Sequence, residues 1–294
     1  MQMEIAERSG SAAQESLDRV SERLGRLELD SRARALGVAV YDTESGATLT
    51  YQADRWFHAA STIKVAILAG VYAAIHEGRW PAHARLHIRN RFFSAADGSV
   101  FRISAERDAN AEVHAAIGKM MRVRELAHHM ITTSSNLATN LLLDLVGVET
   151  VQGVLDHYKI DGIDFRRGVE DERAFAAGIS NRVTASGLMG LLRVIEAEKV
   201  FSPQLSREML DILHQQEFRK GIPGRLPREV RVAHKTGDIS TIAHDAGIVY
   251  PEHRKPYIIA ILTEWEPDTS GRSTTIATVS QAVYKALTAE VANG

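Results

Sequence analysis

The chain has 294 residues, 45% hydrophobic and 24% charged, which suits a globular protein with one large core or two intimate ones. Its 35 basic and 37 acidic residues leave a formal charge of -2, which argues against a nucleic-acid surface. There is no cysteine, so disulfides, thiol nucleophiles and iron–sulfur sites are excluded.

The opening residues lack a positive stretch followed by an apolar core, so no signal peptide is expected and the chain as written reads as cytoplasmic. A leader already removed would instead make it periplasmic or secreted. No run reaches membrane-spanning length. Residues 13–29 predict an amphipathic helix, with Leu17, Val20, Leu24 and Leu27 on one face. Strand-like runs at 36–41 and 47–51 flank a polar turn at 42–46, a β-hairpin pattern.

The next stretch, FHAASTIKVAILAGVYAAIHEGRW, starts with small residues and continues as an apolar helix former with no proline until Pro81. Ser61 takes an N-cap or first-turn position, and Lys64 follows three residues later on the same helical face. A lysine there opposes the helix dipole, so it calls for a reason. One reason is chemical: serine oxygen is a weak nucleophile until a neighbouring base takes its proton, and a destabilised lysine can be that base. The plain alternative is a capping serine beside a snorkelling lysine.

Residues 88–106 read as a loop rich in arginine and phenylalanine, and 161–181 as a long loop with some internal structure. Helices are expected over 123–130, 136–145 (ended by Gly147), 151–158, 184–197 and 203–216. Strand character returns at 230–236, 244–250 and 257–263, and a closing helix spans 271–291. The expected class is α+β: an antiparallel sheet from N- and C-terminal strands, flanked by the terminal helices, with an inserted all-helical lobe. Residues 1–58 with 226–294 form the sheet lobe, 59–225 the helical one, and the cleft between them is the default ligand site.

Two further clusters stand out. Ser134-Ser135-Asn136 interrupts an apolar helix and by itself reads as a loop and cap. His234-Lys235-Thr236-Gly237-Asp238 by itself reads as a strand running into a turn. Ser-x-x-Lys, Ser-x-Asn and Lys-Thr-Gly in this order and spacing resemble the set carried by class A β-lactamases and penicillin-binding proteins. The resemblance covers nearly the whole length and extends to FHAASTIKVAIL and MITTSSNLATNLLLDLVG around the motifs.

The resemblance implies Ser61 as the acylated nucleophile, Lys64 as its base or proton relay, and Ser134 as the proton donor to the leaving nitrogen. It implies Asn136 for the substrate's side-chain amide, Lys235 and Thr236 for its carboxylate with Gly237 beside them among the substrate-binding residues, and the backbone N–H groups of Ser61 and Asp238 as the oxyanion hole. His244 falls near the family's basic carboxylate-binding residue, and a satisfied structural histidine is the alternative that carries slightly more weight. Ser135 stands where the family has an aspartate. In the loop FRRGVEDERAFAAGISN, Glu170 is the expected water-activating carboxylate, with Glu172 the other candidate. Ala174 and Ala176 occupy the positions four residues on, where the family has an asparagine. His128 and His129 are adjacent and make a poor metal pair.

The reading is a serine hydrolase acting on a small molecule through an acyl-enzyme, with β-lactam ring opening first. An esterase or D-Ala-type peptidase, or a slowly deacylating penicillin-binding sensor, are the alternatives. No metal, cofactor, nucleic acid or membrane is expected, and the chain is expected to be a monomer.

Overall fold

The computed structural model describes residues 2–81 and 83–289, with side chains from residue 10 onward. Residues 290 and 291 of the expected closing helix lie outside the described residues. In chain order come helix α1 (Gln2–Ser31), strands β1 (Ala35–Asp42), β2 (Thr48–Tyr51) and β3 (Phe57–His58), a 3-10 turn over Ala60–Ile63, and helix α2 (Lys64–His76). Strands β4 (Arg85–His87), β5 (Phe92–Phe93) and β6 (Val100–Phe101), helix α3 (Ala111–Ala115) and strand β7 (Met120–Arg122) follow. Helices α4 (Val123–Thr132), α5 (Asn136–Val146) and α6 (Val148–His157) lead to strand β8 (Ile163–Asp164), helix α7 (Glu172–Ala176) and strand β9 (Arg182–Val183). The chain closes with α8 (Ala185–Glu196), α9 (Pro203–His214), a 3-10 turn over Ile222–Arg225, β10 (Arg231–Ile239), β11 (Ile242–Tyr250), β12 (Tyr257–Glu264) and α10 (Arg272–Thr288).

The α+β class is as the sequence implied. The chain divides into two compact units. The first comprises Met1–Thr62, Thr184–Arg193 and Phe218–Gly294 and holds a five-stranded antiparallel sheet in the order β10-β11-β12-β1-β2. Along β1, Leu36, Val38 and Val40 point to one face, where they share a core with Leu17 and Leu24 of α1 and Ile276, Val279 and Val283 of α10. Gly37 lies on the other face, where an added Cβ would come within 2.9 Å of the Phe57 ring. Helix α1 also covers the edge strand. The Gln14 amide donates to Thr48 O and accepts from Thr48 N, satisfying groups that an open edge would leave for another chain. The Glu28 carboxylate accepts from Leu36 N, Tyr51 and Gln52 at the far end.

The second unit comprises Ile63–Val183 and Val194–Glu217. Its axis is α2, buried on every side from Lys64 to Ala74, as an all-round apolar helix must be. Helices α4, α5, α6 and α9 pack on it. At Gly70 an added Cβ would sit 2.8 Å from Val151 Cγ2, so glycine lets α6 approach closely. This helical region also carries three short antiparallel pairs, β4 with β7, β5 with β6 and β8 with β9. Strands of two or three residues have no periodicity to announce them.

One buried ion pair ties the turns of the first unit. Asp42 and Arg254, at 0% and 6% side-chain exposure, meet at 2.5 Å, and Arg254 also donates to the Leu287 carbonyl at the end of α10. Replacing Arg254 by alanine strands the Asp42 carboxylate. The expected loss is about 3–5 kcal/mol of unfolding free energy in denaturant titration, against near zero for an exposed pair such as Arg34–Glu266.

Candidate active site

Ser61 does not cap a helix. It lies inside the 3-10 turn that runs directly into α2, and Lys64 is the first α-helical residue. Ala60, just before the serine, has φ +45°, a left-handed conformation costly for a residue with a Cβ. That turn is held by the Ala60 N–H donating to His58 Nδ1 and by the Thr62 hydroxyl donating to Ala59 O at 2.6 Å. Gly237 of β10 presses against it. A Cβ on Gly237 would stand 3.1 Å from the backbone nitrogens of Ser61 and Thr62, so a larger residue would force strand and turn apart by a few tenths of an ångström.

Two residues before Gly237, Lys235 is fully buried and donates to the Thr236 carbonyl at 2.9 Å. The strand is anchored from behind by a buried pair, His234 Nδ1 to Asp245 Oδ1 at 2.9 Å. Asp245 also accepts from Ile222 N, and Gly221 leaves room for it. The Asp238 carboxylate is exposed and pairs with Arg272 at 2.8 Å. His244 faces inward: Nε2 donates to His58 O at 3.0 Å and Nδ1 accepts from Thr263 N at 3.0 Å. Burial pushes its pKa down to about 4, so the ring is neutral near pH 7 and has no charge to offer a carboxylate.

Lys64 is the centre of the second unit's polar residues. Its Nζ donates to Ser134 O at 2.7 Å, Ser134 Oγ at 3.1 Å and Asn136 Oδ1 at 2.8 Å. The ammonium is fully buried, and desolvation lowers its pKa to about 7, against the opposing pull of Asp108 and Glu170. Asn136 passes the contact on, its Nδ2 donating to Glu170 Oε1 at 2.7 Å. Burial raises the Glu170 pKa, while Arg107, Asn136 and Lys64 hold it back.

Glu170 sits in a loop fixed at three points. Asn140 of α5 accepts from Val169 N and donates to Val169 O, both at 2.9 Å. Buried Asp171 accepts from the Ser94 hydroxyl and Ala95 N. Asn181 binds the backbone of Arg166 and Arg167. Ser134 and Glu170 both have positive φ, 62° and 57°. Glu172 instead points outward, 74% exposed, to Arg107 at 2.6 Å. Ala174 is buried on α7 and its side chain carries no polar atom.

In the first unit, then, a Lys-Thr-Gly strand closes on the Ser61 turn. In the second, a serine and an amide surround the buried lysine, and a pinned glutamate follows. The profile of the β-lactamase enzyme family matches residues 19–287. The chain belongs to the β-lactamase enzyme family. A β-lactamase of Streptomyces fradiae is 31% identical over 288 residues, covering 92% of this chain and 87% of its own. An ancestral class A β-lactamase superposes with a TM-score of 0.78 at 27% identity, over 91% of this chain and 99% of its own. A single-site mutant of PBP-A, solved as an acyl-enzyme complex with penicillin G, gives a TM-score of 0.75 at 25% identity, over 92% and 96%. With that family the chain is a serine β-lactamase-type hydrolase.

Several residues of this family member were not singled out from the sequence. Asp108 and Asn140 act on residues 27–29 positions away, and Asp108 lies in a loop without periodicity. Asn140 gave a signal, being a polar residue one turn after Asn136 inside an apolar helix. His128 and His129 bond to Gln215 and Asn110. Among the described residues no group of three His, Cys, Asp or Glu side chains is arranged to hold a metal.

The depressed Lys64 pKa has a sign in stability. Between pH 7 and 10.5 the unfolded chain holds a proton that the folded one has lost, so stability falls as pH drops through that window. Against a Lys64→Met variant, wild-type unfolding free energy is expected to decline as pH falls from 10.5 to 7 and to run parallel below 7. Parallel curves throughout would show an ordinary lysine pKa.

Proposed function

We propose that the chain opens β-lactam rings by way of an acyl-enzyme on Ser61. The observation that carries this is Lys64: an amine held near neutrality by burial, one helical turn after the serine and bonded to a second serine and an amide. The neutral amine takes the Ser61 proton, directly or through a relay, as Oγ attacks the ring carbonyl. Backbone N–H groups of Ser61 and Asp238 receive the developing oxyanion, each worth about 10²–10³ in rate. Ser134 passes a proton to the departing nitrogen, and the C–N bond breaks. Asn136 holds the substrate's amide, while Lys235 and Thr236 bind its carboxylate. Glu170 then removes a proton from water as it attacks the ester, and Ser61 is released with its proton restored.

Slow deacylation is favoured by one observation, the apolar Ala174 four residues after Glu170. Water there has one fewer polar partner to hold it. That supports a lasting adduct, the behaviour of a penicillin-binding sensor.

Intact mass spectrometry during incubation with penicillin G and a chromogenic cephalosporin tests the proposal. An adduct that forms and clears while colour develops is expected, and one that persists selects the sensor behaviour. Neither adduct nor colour would reject β-lactams as substrates. Ser61→Ala is expected to give no adduct. Glu170→Gln is expected to acylate but clear about 10²–10⁴-fold more slowly, the usual range for a lost general base.

A further inference from the structure

The resemblance leaves a gap in the second motif, where Ser135 stands in place of an aspartate. A carboxylate arrives there from elsewhere in the chain. Asp108, in the loop before α3, has a fully buried side chain. It accepts from Ser135 Oγ at 3.2 Å, from the backbone N–H of Asn136 at 3.0 Å and of Leu137 at 2.9 Å. His114 Nε2 lies at 3.1 Å on the same carboxylate, and Asn110 N at 3.3 Å. The carboxylate thus satisfies first-turn N–H groups of α5, where a negative charge is also favoured by the helix dipole. Ser135 in turn accepts from Ala138 N, so serine and aspartate cap the helix jointly.

We propose that Asp108 is the positioning residue of the second motif: through Ser135 and the backbone of Asn136 and Leu137, it fixes the direction in which Asn136 holds Lys64 and Glu170. This gives the chain a carboxylate supplied from 26 residues before Ser134, and it rests on the assignment of Lys64 made above. Neighbouring groups act in the same direction. Asn110 donates to Thr133 at 2.7 Å and bonds His129 Nδ1 at 2.9 Å, tying the loop to the end of α4. Arg107 faces Glu170 and binds Glu172, so two successive loop residues serve the two ends of the Lys64–Asn136–Glu170 chain.

The role has an electrostatic consequence, because Asp108 is the strongest of the charges that keep the Lys64 proton on, ahead of Glu170. The other titratable groups facing this cluster in the same unit are His114 on Asp108, Arg107 and Glu172 beside Glu170, and His129 with Glu112 at 3.7 Å.

The test is a direct titration of Lys64 by ¹³Cε NMR in the full-length folded protein, with the Asn136 side-chain amide resonance as a second readout. It compares wild type, Asp108→Asn, and Asp108→Asn combined with Ser135→Asp. Asp108→Asn keeps the shape and removes the charge. It is expected to lower the Lys64 midpoint by about one pH unit and to shift the Asn136 amide resonance. Returning a carboxylate at position 135 is expected to restore both. A thermal midpoint that falls while Lys64 and Asn136 stay unmoved would reduce Asp108 to a structural cap and overturn the proposal. If Asp108→Asn alone does not fold, the double variant decides: recovery of fold and midpoint supports the role, and failure to recover either overturns it. The titration needs no substrate, so a chain inert to β-lactams would defeat the proposed function and leave this test standing.

Discussion

Burying an ammonium group is the constraint on which this site depends. Out of water, a lysine amine loses hydration worth several kcal/mol, and the protein must either neutralise it or surround it with acceptors. Lys64 shows both responses, with a pKa near 7 and three oxygen partners on Nζ. Of those three atoms only the Ser134 hydroxyl can also donate, so it alone can reverse its bond when the amine gives up its proton. An amine that is half charged near neutral pH, beside a hydroxyl that can turn, is suited to shuttling a proton. The same arrangement lowers stability as pH falls, which is the usual relation between a poised functional group and the fold that carries it.

The surrounding fold supplies rigidity to that group. Left-handed residues occur at Ala60, Ser134 and Glu170, three of the ten such non-glycine positions among the described residues, and each adjoins or belongs to the candidate set. Such conformations persist where neighbours over-determine them. Ala60 is held by His58 and by the turn bonds of Thr62, Glu170 by Asn136 and by the Asn140 clamp on Val169. Gly237 and Gly168 perform the complementary task. At Gly168 a Cβ would stand 2.7 Å from Asn140 Oδ1, so the clamp requires glycine there.

The sequence announced what is local and periodic. The α1 stripe, the β1–β2 hairpin, the three C-terminal strands and helices α4, α5, α8, α9 and α10 follow from apolar spacing and turn residues. Ser61, Lys64, Ser134, Asn136 and Lys235 were legible as motifs because each chemistry-bearing pair lies within one turn or one strand. Less legible were groups whose partners are distant in sequence. Asp108 joins residues 27–29 positions later, and Asn140 reaches 29 positions to Val169. His244 shows the opposite limit. A histidine on a strand after Lys-Thr-Gly reads either as a cleft residue or as a satisfied structural one; the register sets it opposite Gly237, on the face that meets the Ser61 turn, and there the His58 carbonyl and the Thr263 N–H take up both ring nitrogens. The 3-10 start at Ser61 was also hidden, since a serine before an apolar helix carries the signature of a cap.

The central claim is that a neutral Lys64 activates Ser61. The most direct measurement is the single-turnover rate of Ser61 acylation by penicillin G, followed by quenched intact mass spectrometry across roughly two pH units on either side of neutrality. An adduct on Ser61 is expected, its formation falling off on the acid side with a midpoint near 7, where the buried amine takes up its proton. A rate that does not change across that range, or an adduct on any other residue, would contradict the claim.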